Sequence, residues 1–273
     1  FNNLYKKKIP LMLLNARITK KSFNRWKLFP NFSKKIFEKI TIALPQNMET
    51  KKYLKLLGTK NVKFIGNLKV FGETQKNNLK NLNLKKKFSK RIIFCAASTH
   101  KTEELFIGRV HKELKSEIKN LITIIIPRHI NRKKEIIDEL NKIGLNSQLH
   151  TSKKKLSKGT DIYIVDTYGE SAKFYSLSKL TFLGGSLIPH GGQNPLESAR
   201  EGNYILYGPH IENFKEVYEM LEKLKVTTKV NSIKKMKSVV RQKINFLQRN
   251  TVNKKLEYLG DKILNKNLYE IKK

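Results

Sequence analysis

The sequence predicts an α/β protein in which parallel sheets are covered by helices, and three observations predict it. Short apolar runs of strand length alternate with amphipathic stretches of helical period through most of the chain. The later runs end in turns rich in Gly, Pro and small polar residues, where open parallel sheets carry their ligands. One polar segment then breaks the alternation, and a fresh strand follows it, so two such units are expected.

In order, the expected strands are Leu11–Leu14, Thr41–Leu44, Val62–Ile65, Ile92–Ala96, Ile122–Ile126, Asp161–Val165, Leu180–Leu183 and Tyr204–Leu206. Helical patterns lie between them at Glu103–Ile118, Arg132–Ile143 and Phe214–Leu224. The interruption is "GETQKNNLKNLNLKKKFSK", Gly72–Lys90, which reads as a linker because it is polar and poor in aromatic residues. The expected division is therefore a first unit at 1–71, the linker at 72–90, a second unit at 91–250 and a helical, lysine-rich tail at 251–273. About three strands precede the linker, half of a doubly wound unit, and the chain opens on Phe1 rather than Met. Upstream sequence is expected to be missing and the first unit to be incomplete.

The 273 residues carry a net charge of +35, which raises the question of nucleic acid. The excess is mostly Lys, spread over the whole chain, and no RNA-recognition or zinc-finger pattern accompanies it, so no nucleic-acid partner is expected. A basic surface still favours anionic lipid. Cys95 is the only cysteine and sits in the apolar run "RIIFCAAS", which implies a buried structural thiol and no disulfide within the chain. No apolar run reaches membrane-spanning length.

Four strand ends carry unusual residues. Ile92–Ala96 leads into "ASTHKTEE", where Ser98, Thr99 or Thr102 can cap a helix and Glu103 and Glu104 suit its positive end, with His100 left unexplained. Ile122–Ile126 leads into "PRHINR", where Pro127 stops the strand and holds Arg128 at its exit, as a phosphate contact or a solvated surface residue. Asp161–Val165 leads into "DTYGES", with Asp166 turning the chain and Gly169 allowing close approach to a ligand. Leu180–Leu183 leads into Gly184–Gly185–Ser186 and then Gly191–Gly192, ahead of a helix start with Asn194 at the cap, Pro195 first and Glu197 third. Two glycine pairs exceed what capping requires. The turn is expected to offer unshielded backbone N–H groups to a phosphate at the helix end, with Glu197 on the ribose hydroxyls.

"NARITKKSFNRW", "FIGNLK", "ASTHKTEE", "PRHINR" and "VDTYGESAKFYSLSKLTFLGGSLIPHGGQNPLESA" occur in this order, and the set resembles the transferases of 3-deoxy-D-manno-octulosonic acid (Kdo). The resemblance implies a glycosyltransferase of the B architecture, two Rossmann-like domains with parallel sheets, using CMP-Kdo as donor without a cofactor or metal. It implies inverting transfer to a lipid A precursor (lipid IVA) in lipopolysaccharide biosynthesis, by a peripheral protein on the cytoplasmic face of the inner membrane. On the matching positions, the CMP contacts fall on Pro127, Arg128, Tyr168, Gly169, Glu170, Asn194, Pro195, Leu196 and Glu197. Ser98, Thr99, His100, Gly184, Gly185, Ser186, Gly191 and Gly192 line the donor pocket. Lys69 matches the lysine that steadies charge in the transition state. Gln193 stands where the family usually has His, and Tyr168 replaces a frequent Met. No residue matches the family's general-base glutamate, so the chain as it stands is expected to bind but hardly to catalyse. The aromatic and basic stretch Lys20–Phe37 is read either as a membrane-surface element or, at Phe23 and Trp26, as core. A UDP-sugar enzyme of the same architecture and a non-catalytic basic binding module are the alternatives.

Overall fold

A computed structural model describes residues 1–72, 82–245 and 249–273. Its contacts divide the chain into two compact units, one of residues 1–72 together with 255–273 and one of residues 73–254.

The first unit runs α1 (Asn2–Lys6), β1 (Met12–Ala16), α2 (Lys20–Lys27), α3 (Pro30–Phe37), β2 (Ile42–Pro45) and α4 (Met48–Leu56). β1 and β2 pair in parallel, and the expected strand at Val62–Ile65 contributes a single parallel bridge from Val62 to Ala43. Thr19 caps α2 by accepting from Ser22 N–H, and Asn47 caps α4 by accepting from Thr50 N–H, which fixes where both helices begin. Phe23, Phe37, Tyr53, Leu54 and Val62 form the core, with Phe23 stacked on Tyr53 at 4.1 Å and Trp26 edge-on to Phe37 at 5.1 Å. Phe23 is thus core and Trp26 packs against it. Leu28, Phe29 and Phe32, at the elbow between α2 and α3, instead point to solvent, 73%, 65% and 60% exposed.

The second unit runs α5 (Leu82–Phe88), β3 (Ile92–Thr99), α6 (Glu103–Leu114), β4 (Leu121–Pro127), α7 (Lys133–Lys142), β5 (Ser147–Leu149), β6 (Ile162–Ile164), α8 (Ser171–Leu177), β7 (Leu180–Leu183), α9 (Leu196–Arg200), β8 (Tyr204–Tyr207), α10 (Lys215–Lys223), β9 (Thr227–Lys229) and α11 (Ile233–Lys243). The seven strands lie in the order β5-β6-β4-β3-β7-β8-β9, and every pair is parallel. Apart from the edge strand β5, this is the doubly wound order that starts in the middle, grows outward one way and then reverses. The reversal falls between β3 and β7. Central strands need apolar residues on both faces, which is why β4, "LITIIIP", is buried throughout.

β5 ("SQL") and β9 ("TTK") were not among the expected strands. Both are edge strands of three residues, paired on one side only and incompletely buried, and so have no continuous apolar run to betray them. Residues 73–81 of the expected linker lie outside the described residues. Leu82–Phe88 is helical, with Phe88 buried edge-on to Tyr163 at 5.0 Å. The stretch set apart as a tail is α12 (Arg249–Lys272), whose Leu256 and Ile263 are buried, and residues 255–273 group with the first unit. Cys95 is fully buried, and burial pushes its thiol up to about 12, so it is inert as a nucleophile. Among the described residues, no helix is long and apolar enough to cross a membrane.

Candidate functional site at the strand reversal

The loops after β3 and β7 meet at the carboxyl ends of the two strands. A bulge after Ala97, with Ser98 left-handed (φ +53°), shifts the register in the last residues of β3, where Thr99 pairs with Pro127. Thr102 occupies the N-cap of α6 but makes no capping bond with its side chain. Glu103 does different work from the dipole role expected of it. Its carboxylate, in a residue only 1% exposed, accepts from the backbone N–H of His100 (3.0 Å), Gly185 (2.7 Å), Ser186 (3.1 Å) and Leu187 (3.0 Å). The unshielded amides expected of the Gly184–Gly185–Ser186 turn are therefore already taken. A buried carboxylate can only accept, so it gathers every donor within reach, and here those donors are the turn itself.

The glycines of this turn answer to packing. A Cβ on Gly184 would stand 2.5 Å from Ser98 O and 2.6 Å from Thr99 Cα, so the two loops approach too closely for any side chain. Gly192 N–H donates to Gly185 O at 2.8 Å and joins the two glycine pairs. Asn194 Oδ1 accepts from Leu196 N–H at 3.2 Å, and α9 starts at Leu196, so Glu197 is its second residue rather than its third. α9 is five residues long, which leaves it little aligned dipole to offer an anion. Desolvation raises the Glu197 carboxyl above the usual carboxylate range, with Arg200 opposing.

Beside the turn stands a group of rings that the sequence reading did not assemble. His100 is 4.3 Å from His190 and 6.0 Å from His129, between ring centroids. Its Nδ1 lies 3.0 Å from Ser98 O, which calls for a proton on Nδ1, and its buried Nε2 then remains an acceptor without a partner. Burial, with His190, His129 and Arg128 close by, lowers His100 to about 4, so the ring is neutral at pH 7. Arg128 is fixed at its backbone, where N–H donates to Thr99 O at 2.9 Å. Its exposed guanidinium has no ion-pair partner among the described residues. The three histidines occur in "STH", "PRH" and "IPHGG", each in the loop that follows a strand, and that shared position was the available signal.

The turn after β6 lies two strands away from β3. Asp166 holds it from below, accepting from Thr151 N–H (3.0 Å), Thr151 Oγ1 (2.8 Å) and Lys133 Nζ (2.9 Å). Tyr168 is exposed, and Gly169 takes φ +77° with no atom within 4 Å of where a Cβ would stand. Glu170 is bonded to Thr167 and Lys173, and it pairs with His150 at 3.1 Å. Burial works against its charge, but these partners hold its carboxyl below the usual range.

The structure thus gathers Ser98, Thr99, His100, Arg128, Gly184, Gly185, Ser186, Gly191 and Gly192 around the β3/β7 reversal. Tyr168, Gly169 and Glu170 stand on a separate turn of the same sheet edge. Lys69 belongs to the first unit, in a short turn at Leu68–Val70 where Asn67 Oδ1 accepts from Lys69 N–H at 3.0 Å. Among the described residues, no group of three His, Cys, Asp or Glu side chains is arranged to hold a metal ion.

Comparison with known proteins matches residues 1–71 to the family model described as 3-deoxy-D-manno-octulosonic-acid transferase (kdotransferase). A 3-deoxy-D-manno-octulosonic acid transferase of Haemophilus influenzae is 30% identical over 235 residues, covering 85% of this chain and 55% of that protein. One from Rickettsia bellii is 29% identical over 261 residues, covering 89% of this chain and 62% of that protein. The chain therefore spans between half and two thirds of the length of these relatives. Among solved structures, the C-terminal CMP-Kdo binding domain of WaaA from Acinetobacter baumannii aligns with TM-score 0.57 at 24% identity, covering 68% of this chain and 96% of that one. An α,α-trehalose 6-phosphate synthase from Burkholderia multivorans aligns with TM-score 0.57 at 8% identity over 99% of this chain and 67% of its own. These likenesses give the fold, the glycosyltransferase B type with parallel sheets. The family model and the relatives together make the chain a member of the Kdo transferase family.

Proposed function

We propose that this chain serves the transfer of Kdo from CMP-Kdo to a lipid A precursor, and that the second unit takes the donor nucleotide at the β3/β7 reversal. The observation that carries the reading is Arg128, a cation without an ion-pair partner among the described residues, held at a strand exit beside three histidines. Its guanidinium is the phosphate contact, since a planar fork of donors matches phosphate oxygens in pairs. The unpartnered His100 Nε2 accepts from a hydroxyl of the donor. Tyr168, Gly169 and Glu170, with Asn194 through Glu197, supply the remaining nucleotide contacts, and Lys69 steadies the charge that develops as CMP departs. The WaaA domain, described as binding CMP-Kdo and matched over nearly its whole length, supports the assignment of the donor to this unit.

Calorimetric titration with CMP and then UMP at moderate salt tests this. CMP is expected to bind more tightly than UMP, and Arg128→Ala to weaken CMP by at least about tenfold, the worth of one charge-assisted contact. Equal, salt-driven binding of both nucleotides, unchanged in the variant, would sink the proposal.

The acceptor in this reading is a lipid, and the α2–α3 elbow supports contact with a membrane face. Leu28, Phe29 and Phe32 project there among Lys20, Lys21, Arg25, Lys27, Lys34 and Lys35, with no acidic residue before Glu38. Phe29→Glu with Phe32→Glu is expected to weaken partitioning onto vesicles containing anionic lipid, read by co-sedimentation, by at least about thirtyfold, given about 1 kcal/mol for each charge at the surface and the lost aromatic burial besides. Unchanged sedimentation would remove the elbow from the reading.

A further inference from the structure

A line of hydrogen bonds ends on Glu170. Lys87 Nζ, on α5, donates to Tyr163 Oη at 2.7 Å. Tyr163 Oη lies 3.0 Å from His150 Nδ1, and His150 Nε2 lies 3.1 Å from Glu170 Oε2. An ammonium can only donate and a carboxylate can only accept, so both ends of the line have a fixed direction. The Tyr163 hydroxyl accepts from Lys87 and keeps its own proton for Nδ1. Nε2 then carries the proton offered to Glu170. A ring protonated on Nε2, with Nδ1 accepting from the hydroxyl, satisfies all three links together. The other neutral tautomer would turn a lone pair toward the carboxylate.

The ring is also held by packing. It stands edge-on to Phe174 at 5.3 Å and to Tyr163 at 5.8 Å, and the His150 backbone N–H donates to Ile164 O at 2.8 Å. Its aim at Glu170 is therefore set from β5, β6, α5 and α8. Glu170 in turn closes the turn on which Tyr168 and Gly169 stand clear of the rest of the unit, through its bond from Thr167 Oγ1.

We propose that His150 is a positioning residue for the donor nucleotide. By holding Glu170 it fixes the 167–170 turn in the shape that the nucleotide meets. This rests on the reading above that the turn belongs to the nucleotide site. Lys87 and Tyr163 act through His150, which gives the helix inside the expected linker a part in donor binding.

The test is calorimetric titration of CMP into the wild-type chain, His150→Phe and His150→Gln. Phenylalanine keeps the ring packing and removes both nitrogens, while glutamine restores an N–H donor toward Glu170. His150→Phe is expected to weaken CMP about tenfold, the worth of one charge-assisted hydrogen bond, and His150→Gln to bind within about threefold of wild type. CMP binding by His150→Phe at the wild-type affinity overturns the role, and so does a loss that glutamine fails to restore. A wild-type chain that binds no CMP overturns the functional reading and this role with it. A second measurement needs no variant. Imidazole ¹⁵N resonances of His150 are expected to report a proton on Nε2 and none on Nδ1, and the opposite tautomer would overturn the hydrogen-bond line on which the proposal stands.

Discussion

Glu103→Ala is expected to lower the melting temperature by about 10 °C and to abolish CMP binding, whereas Glu197→Ala is expected to move melting by no more than about 2 °C. The two carboxylates differ in what depends on them. Removing the Glu103 side chain leaves four backbone N–H groups facing a small cavity, three of them in the β7 turn and one after β3. An orphaned buried donor costs about 1–3 kcal/mol, so even the lower figure brings the loss to about 4 kcal/mol. At about 2–4 °C per kcal/mol for a unit of this size, the shift is of the order stated. Glu197 lies on the surface and holds no such set. Circular-dichroism melts of the two variants check the difference. A Glu103→Ala protein that melts with wild type would show that the turn keeps its shape without the clamp.

That contrast also marks what was legible in the sequence. The alternation of β3, β4, β6, β7 and β8 with helices was readable because each strand is covered on both faces and must be apolar along its length. The edge strands β5 and β9 were not, since their half-exposed residues obey no such demand. The residues worth attention at the strand ends were also readable, because turns with so many glycines and so few anchors are unusual. Their chemistry was not. Glu103 lies 82 positions from Gly185 in sequence, and only the sheet order, with β3 beside β7, sets the carboxylate under the turn. For the same reason the sequence leaves His100 unexplained and does not single out His129 and His190 at all. The line through Lys87, Tyr163, His150 and Glu170 draws on four elements, and no local pattern joins them.

Gly184→Ala is expected to cost about 3 kcal/mol and to lower melting by roughly 10 °C, while Gly169→Ala costs about 1 kcal/mol. The added methyl at Gly184 would meet Ser98 O and Thr99 Cα at 2.5 and 2.6 Å, which are backbone atoms and have no rotamer by which to withdraw. Gly184 N–H donates to Ala97 O at 2.8 Å, so the carboxyl ends of β3 and β7 would have to part and break that bond, with Glu103 dragged along. Gly169 is a different case. Its φ of +77° strains any other residue, but a Cβ there has open space around it. A glycine kept for the fold and one kept for a ligand are distinguished by this pair of variants. Gly184→Ala should lose stability whether or not nucleotide is present. Gly169→Ala should stay folded and lose CMP affinity, because the methyl would occupy room that only a ligand would otherwise use. If Gly169→Ala bound CMP as the wild type does, the 167–170 turn would have no claim on the nucleotide, and donor recognition would rest on Arg128 and the histidines at the β3/β7 reversal.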